Sequence, residues 1–176
     1  MAFTFIKAQG MDIGGSFYEE NNLDIASQII SKCNDLDVNL VLPVDAVVSD
    51  SIENGHNSYI CEIDKIKSDV MGFDIGPKSS EQFKDILYKS KTIVWNGPLG
   101  VAEIDFYSTS TREIGNTLSS LSSKGVKTII GGGDTASALK RLCPNKDFTH
   151  ISTGGGASLE LLIEKKLDLF SSKINN

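Results

Sequence analysis

The chain has 176 residues, 40% of them hydrophobic and 23% charged, which is typical of one soluble domain and excludes a disordered or fibrous protein. Its formal net charge is -6 without a compensating Lys/Arg cluster, so we expect no nucleic-acid partner. The 3 cysteines lie far apart, which favours a reducing, cytoplasmic setting over a disulfide framework. No apolar stretch approaches the ~20 residues of a membrane span, so we expect no membrane partner.

The first part of the chain predicts one helix and two strands. Apolar residues recur at helical spacing from Leu23 to Cys33. The apolar run Val38 to Leu42 predicts a buried strand, and a second β-branched run follows at Val47 and Val48. Beyond a polar loop, Tyr59 to Ile63 alternates as a half-buried strand does. We therefore expect a small β-hairpin beside the main sheet.

A capping box at Ser79 to Gln82 predicts the start of a second helix, with Phe83, Ile86 and Leu87 as its inward stripe. Thr92 to Trp95 predicts a strand. A third helix follows, and its apolar positions are Ile114, Leu118 and Leu121.

The last third of the chain repeats one pattern, in which a strand leads into a glycine loop and then a helix. The two predicted strands are Val126 to Ile130 and Phe148 to Ser152, and the last helix is predicted at 157–169. Strands that alternate with helices favour parallel pairing through crossover connections. The predicted fold class is α/β: a Rossmann-like, three-layer parallel sheet with helices on both faces, plus a small β-hairpin. Without a linker or a fixed-period repeat, residues 1–176 are expected to form a single domain.

Three unusual segments follow predicted strands directly: 95–100, 131–135 and 153–156. In open parallel sheets ligands bind beyond the carboxyl ends of the strands, so we expect these segments to converge on one crevice. Consecutive glycines let a phosphate approach backbone amides, and a helix start adds unpaired N–H groups and a positive dipole end. Either loop alone is also explained by a tight turn. Two such loops together favour a phosphate chain.

Asp134 follows three glycines at a predicted helix start, where its carboxylate either caps the helix or holds Mg²⁺ between nucleotide phosphates. The spacing from Gly131 to Ala136 also matches the dinucleotide fingerprint, which requires an acidic residue about 20 positions later. That position holds Ser152 or Thr153. An NAD-type dinucleotide-binding module is therefore one alternative, and a non-catalytic interaction fragment is another.

Six segments, taken in this order and spacing, resemble the phosphoglycerate kinase family: 1–5 (MAFTF), 42–45 (LPVD), 71–77 (MGFDIGP), 94–98 (VWNGP), 131–135 (GGGDT) and 152–160 (STGGGASLE). The resemblance covers nearly the whole chain. It implies a glycolytic phosphotransferase that moves a phosphoryl group between 1,3-bisphosphoglycerate and ADP, with Mg²⁺ as cofactor and ADP or ATP as substrate. His56 and His150 are expected to have no catalytic role.

The resemblance also implies roles for individual residues. It implies an adenosine pocket whose members are Phe17, Gly72, Phe73 and Val101, with Glu103 accepting hydrogen bonds from the ribose. It implies phosphate contacts from Asn96 and from the amides of Gly132, Gly133 and Thr135. Asp134 matches the Mg²⁺ ligand of the family. The amides of Gly154, Gly155 and Gly156 match the catalytic loop that faces the phosphoryl group in transit.

Members of that family also carry an N-terminal domain that binds phosphoglycerate, and their nucleotide domain begins earlier. The resemblance therefore implies an N-terminally incomplete nucleotide-binding C-terminal domain, with phosphoglycerate bound only through the absent domain. We expect a cytoplasmic monomer without activity of its own.

Overall fold

The computed structural model of the chain describes residues 1–53, 55–152 and 154. The chain divides into two compact units: the first comprises Met1–Ile86 and Leu99–Ser110, and the second comprises Leu87–Pro98 and Thr111–Asn176. The single domain expected over 1–176 stays a prediction. The helix predicted at 157–169 lies outside the described residues.

The first unit combines helices with a small antiparallel sheet. Its helices are α1 (Ala2–Ala8) and α2 (Leu23–Asp35), and α3 (Pro77–Leu87) begins here. Its strands are β1 (Asp45–Ser49), β2 (Tyr59–Glu62) and β3 (Met71–Ile75), in the order β2-β1-β3. Both pairings are antiparallel. The core of this unit contains Ile6, Ile13, Ala46, Val48, Ile63, Ile66 and Val70.

The helix predicted from Leu23 is confirmed as α2, and the predicted hairpin is confirmed as β1 and β2, with β3 as a third strand. The strand predicted at Val38 to Leu42 is wrong. Those residues form no strand, and Val38 is 54% exposed. Strand β1 instead contains the shorter run Val47-Val48 and begins at a fully buried aspartate, Asp45.

Asp45 explains where α3 begins. Its carboxylate accepts hydrogen bonds from the amides of Lys78 (3.0 Å) and Ser79 (2.8 Å) and from the Ser79 hydroxyl (2.6 Å). A carboxylate that binds the first amides of a helix satisfies donors without an intrahelical partner. The predicted capping box is therefore wrong: α3 begins at Pro77, and Ser79 Oγ accepts from Val44 N at 2.9 Å. The predicted stripe is only partly buried, since Ile86 is 38% exposed.

An exposed ion-pair network lies at the end of β2. The Glu62 carboxylate contacts the Lys65 ammonium group and lies 2.8 Å from Lys78 Nζ. Hydrogen bonds from Lys65 and then Lys78 lower the pKa of Glu62 from 4.5 to about 2.

The second unit contains a parallel sheet of β4 (Thr92–Asn96), β5 (Lys127–Gly131) and β6 (His150–Ser152), in the order β4-β5-β6. Helix α4 (Thr109–Ser123) connects β4 to β5, and α5 (Gly133–Leu142) connects β5 to β6. The apolar positions Ile114, Leu118 and Leu121 are buried, as predicted for α4. A parallel sheet flanked by helices, together with a small antiparallel sheet, confirms the α/β fold class. None of the helices in the described part of the chain is long and apolar enough to cross a membrane.

Candidate functional site

The carboxyl ends of the three parallel strands meet at one edge of the sheet. Asn96 at the end of β4 pairs in register with Gly131 at the end of β5, and Gly131 pairs with Ser152 at the end of β6. The segments that follow these strands therefore leave the sheet at the same edge, where ligands of open parallel sheets bind. Of the catalytic glycines predicted beyond β6, Gly154 is exposed, and Gly155 and Gly156 lie outside the described residues.

The turn after β4 is held by hydrogen bonds on both sides of Gly97. The Gly97 amide donates to Thr135 Oγ1 at 2.8 Å, and the Gly97 carbonyl accepts from Trp95 Nε1 at 2.6 Å. Gly97 has φ +95°, a conformation that favours glycine. Thr135 is fully buried. The bond to Thr135 ties the Asn96-Gly97 turn to the first turn of α5.

Helix α5 begins at a glycine for steric reasons. Gly132 occupies the N-cap position with φ 94° and ψ 136°, which L side chains rarely adopt. A Cβ atom at Gly132 would lie 2.9 Å from Asn96 Oδ1, so a side chain would also disturb Asn96. The Gly132 amide already donates to the Ser152 carbonyl at 3.1 Å. The first amides of the helix proper, beginning with Gly133, have no intrahelical acceptor.

Asp134 lies exposed in the first turn of α5, and no side chain caps this helix. The capping role is therefore not observed, because the N-cap position belongs to Gly132. An acidic side chain at this position interacts favourably with the positive end of the helix dipole. Within residues 1–53, 55–152 and 154, no group of three or more His, Cys, Asp and Glu side chains could hold a metal. A single carboxylate nevertheless fits Mg²⁺, which usually completes its shell with phosphate oxygens and water.

In the first unit, two predicted adenosine contacts lie next to each other. The Val101 amide donates to the Phe73 carbonyl at 2.9 Å, which joins the segment after Gly100 to strand β3. Gly72 precedes Phe73 on β3, and its amide donates to Ser16 Oγ at 3.0 Å. A side chain at Gly72 would overlap the ring of Phe3.

The other two residues predicted to contact adenosine are exposed. Phe17 is 77% exposed, and Glu103 also lies at the surface. Both side chains are therefore accessible to a ligand.

Sequence reasoning missed the buried polar groups behind these residues. Asp74 accepts hydrogen bonds from the amides of Ser110 (3.1 Å) and Ile75 (2.8 Å) and from the Ser110 hydroxyl. Tyr107 is fully buried and contacts the ring of Phe73. The sequence signal that could have found Asp74 is its place inside an apolar strand pattern, because aspartate is rare in strands unless its carboxylate has hydrogen-bond partners.

A parallel sheet whose carboxyl ends lead into glycine turns and a helix start is typical of α/β proteins that bind phosphate-bearing ligands. The phosphoglycerate kinase family model matches residues 1–165 of the chain. The chain therefore belongs to the phosphoglycerate kinase family.

Relatives include the phosphoglycerate kinases of Synechococcus elongatus and Finegoldia magna, 46% and 48% identical over 167 residues. Another is "Phosphoglycerate kinase 3, cytosolic" of Arabidopsis thaliana, 46% identical over 167 residues. Each alignment covers 95% of this chain and 42% of the relative. The chain thus spans about two fifths of the length of these relatives.

Solved structures of the family have the same fold. Phosphoglycerate kinase from Coxiella burnetii matches with a TM-score of 0.84 and 38% identity, over 92% of this chain and 41% of that chain. The enzyme from Pyrococcus horikoshii matches with a TM-score of 0.73 and 25% identity, over 91% of this chain and 40% of that chain.

Proposed function

We propose that this chain supplies the Mg·nucleotide site of a glycolytic phosphotransferase that moves a phosphoryl group from 1,3-bisphosphoglycerate to ADP, and from ATP to 3-phosphoglycerate in reverse. Family membership supports the reaction. The observation that carries the proposal is the hydrogen bond from the Gly97 amide to Thr135 Oγ1, at 2.8 Å. It holds the turn after β4 beside a glycine-capped helix start, a place suited to phosphate oxygens.

In this proposal the phosphates bind where β4 ends and α5 begins. The side chain of Asn96 and the amides of Gly133 and Thr135 donate hydrogen bonds to phosphate oxygens. Gly132, whose own amide is already bonded to Ser152, contributes the close approach that its missing side chain allows. Asp134 holds Mg²⁺, which when bound neutralises charge on the phosphate oxygens.

Residues of β3 and of the segment after Gly100 are proposed to contact adenosine. Gly72, Phe73 and Val101 form an apolar surface for the base, with Phe17 as a further exposed contact. The Glu103 carboxylate accepts hydrogen bonds from the ribose hydroxyls. Phe73 and Val101 support this assignment best, because the hydrogen bond between their backbones holds them side by side.

The chemistry requires positioning more than a nucleophilic side chain. In the forward direction a β-phosphate oxygen of ADP attacks the phosphorus of the acyl phosphate, and the bond to the carboxyl oxygen breaks to release a carboxylate. The attacking oxygen is already an anion, so no general base is needed. The amides of Gly154, Gly155 and Gly156 are proposed to face the migrating group. We assign phosphoglycerate binding to regions of the relatives that this chain does not span. The proposed protein is cytoplasmic and monomeric.

Backbone NMR of the full chain tests this function. Mg·ADP should shift the amide resonances of Gly131 to Thr135 and the side-chain amide of Asn96. NAD serves as the matched probe for a dinucleotide-binding module, and it should give weaker shifts because Ser152 or Thr153 stands where that module needs an acidic residue. Larger shifts with NAD would favour the dinucleotide module. No shift with either nucleotide would favour an interaction fragment.

A further inference from the structure

Tyr107 is the largest fully buried side chain of the described residues, with 0% exposure. It ends the short 3-10 turn Asp105–Tyr107, four positions after Glu103. Its ring centroid lies 4.8 Å from that of Phe73, at an interplanar angle of 35°. This distance is within the range in which aromatic pairs attract each other. The ring proposed to receive the base therefore rests on a buried ring.

The same residue also determines the course of the chain around Val101. The Tyr107 amide donates to the Ile104 carbonyl at 3.0 Å. The Tyr107 carbonyl oxygen lies so close to Gly100 that a Cβ atom there would overlap it. Its hydroxyl donates to the carbonyl of Ser51 at 3.3 Å, which anchors the ring at its far end. Tyr107 thus contacts both Phe73 and the segment that contains Val101.

We propose that Tyr107 is a positioning residue for nucleoside recognition: it fixes the Phe73 ring and segment 100–104 as a preformed surface for a purine base. It does not touch the ligand itself, because it is buried. This inference rests on the proposed function and concerns only the base, whereas the proposed function is carried by the phosphate contacts. The binding of a base-containing ligand should therefore depend on Tyr107, and the binding of phosphate alone should not.

Calorimetric titration of the full chain separates the two contributions. Mg·ADP is compared with Mg·pyrophosphate, which has the phosphates without the base. Tyr107→Leu should raise the Kd of Mg·ADP about 5- to 10-fold, the loss expected for one aromatic pair, and should leave the Kd of Mg·pyrophosphate unchanged. Tyr107→Phe keeps the ring and removes the hydroxyl, so its Kd for Mg·ADP should stay within about twofold of the wild-type value.

Phe106→Leu is the matched control because it alters the neighbouring aromatic residue of the same turn. The Phe106 ring contacts His56 at a centroid distance of 4.6 Å. This control variant should bind Mg·ADP as the wild type does. Equal weakening of Mg·ADP and Mg·pyrophosphate in Tyr107→Leu would show a general structural effect and overturn the inference.

NMR of the wild-type chain tests the inference even if Tyr107→Leu fails to fold. In the wild-type chain, adenosine should shift the ring resonances of Tyr107, and pyrophosphate should not; the reverse pattern would overturn the inference. An unchanged Kd of Mg·ADP in a folded Tyr107→Leu variant would overturn this inference alone. Failure of the wild-type chain to bind Mg·ADP would overturn the proposed function together with it.

Discussion

Replacing Thr135 by valine removes one buried hydroxyl and keeps the shape of the side chain. The hydroxyl accepts a hydrogen bond from the Gly97 amide at 2.8 Å, and this bond links the turn after β4 to α5. Without it, a partly buried N–H group loses its acceptor, which costs about 1–3 kcal/mol. We expect the free energy of unfolding to fall by about 1–2 kcal/mol, the lower part of that range, because Gly97 is only partly buried.

The same change should weaken nucleotide binding, because the turn that carries Asn96 is no longer held beside α5. If ordering this turn on binding costs about 1 kcal/mol, the Kd of Mg·ADP rises about fivefold. Urea denaturation measures the first effect, and calorimetry measures the second.

Thr128→Val is the matched control for this experiment. Thr128 is also fully buried, and its Oγ1 accepts a hydrogen bond from the Thr149 amide at 3.1 Å. The control should lose a similar free energy of unfolding but bind Mg·ADP with unchanged affinity. Equal weakening of Mg·ADP by both variants, or an unchanged Kd in Thr135→Val, would refute the reasoning.

Three further predictions concern individual side chains. Gly132→Ala should lower the free energy of unfolding by at least ~1–2 kcal/mol, the cost expected for a side chain at a positive φ, and its control Gly10→Ala should show a loss of about that size. Of these two variants, Gly132→Ala alone should shift the Asn96 side-chain resonances, because a Cβ atom at Gly132 would lie 2.9 Å from Asn96 Oδ1, whereas one at Gly10 would meet no atom within 4 Å. Asp134→Ala should raise the Kd of Mg·ADP about tenfold and that of metal-free ADP less, and equal losses would remove the metal assignment. The pKa of Glu62 is lowered to about 2, so its carboxylate stabilises the fold above pH 4.5, and this contribution is lost as the pH falls toward 2. Urea unfolding should accordingly show a smaller loss of stability over that range in Glu62→Gln than in the wild type.

The parts of the fold that were predicted correctly depend on local patterns. The apolar spacing of α4 and the strand that ends at Asn96 are both readable within one segment. The apolar run Val38 to Leu42 fits a strand locally, but the strand of this region is β1, which begins at Asp45. Aspartate is disfavoured in strands, so the sequence pattern did not indicate that start. Asp45 is accommodated by its bond to Ser79, 34 positions away. A local pattern does not contain a partner at that separation.

The candidate site shows the same division. The glycine loops and their place at the ends of parallel strands followed from the sequence. The supporting contacts did not, because they join residues far apart along the chain: Gly97 and Thr135 are separated by 38 positions, and Tyr107 and Ser51 by 56. The hydrogen bond from the Gly132 amide to the Ser152 carbonyl likewise depends on the pairing of β5 with β6.

The central claim is that the phosphates and the metal of a bound nucleotide lie at the start of α5. Replacing Mg²⁺ by Mn²⁺ in a complex with ADP tests it directly, because the paramagnetic ion broadens NMR signals according to their distance from it. Mn·ADP should broaden the amides of Gly133, Asp134 and Thr135 first, and free Mn²⁺ at the same concentration should broaden them less. Broadening centred on any other part of the chain would contradict the claim.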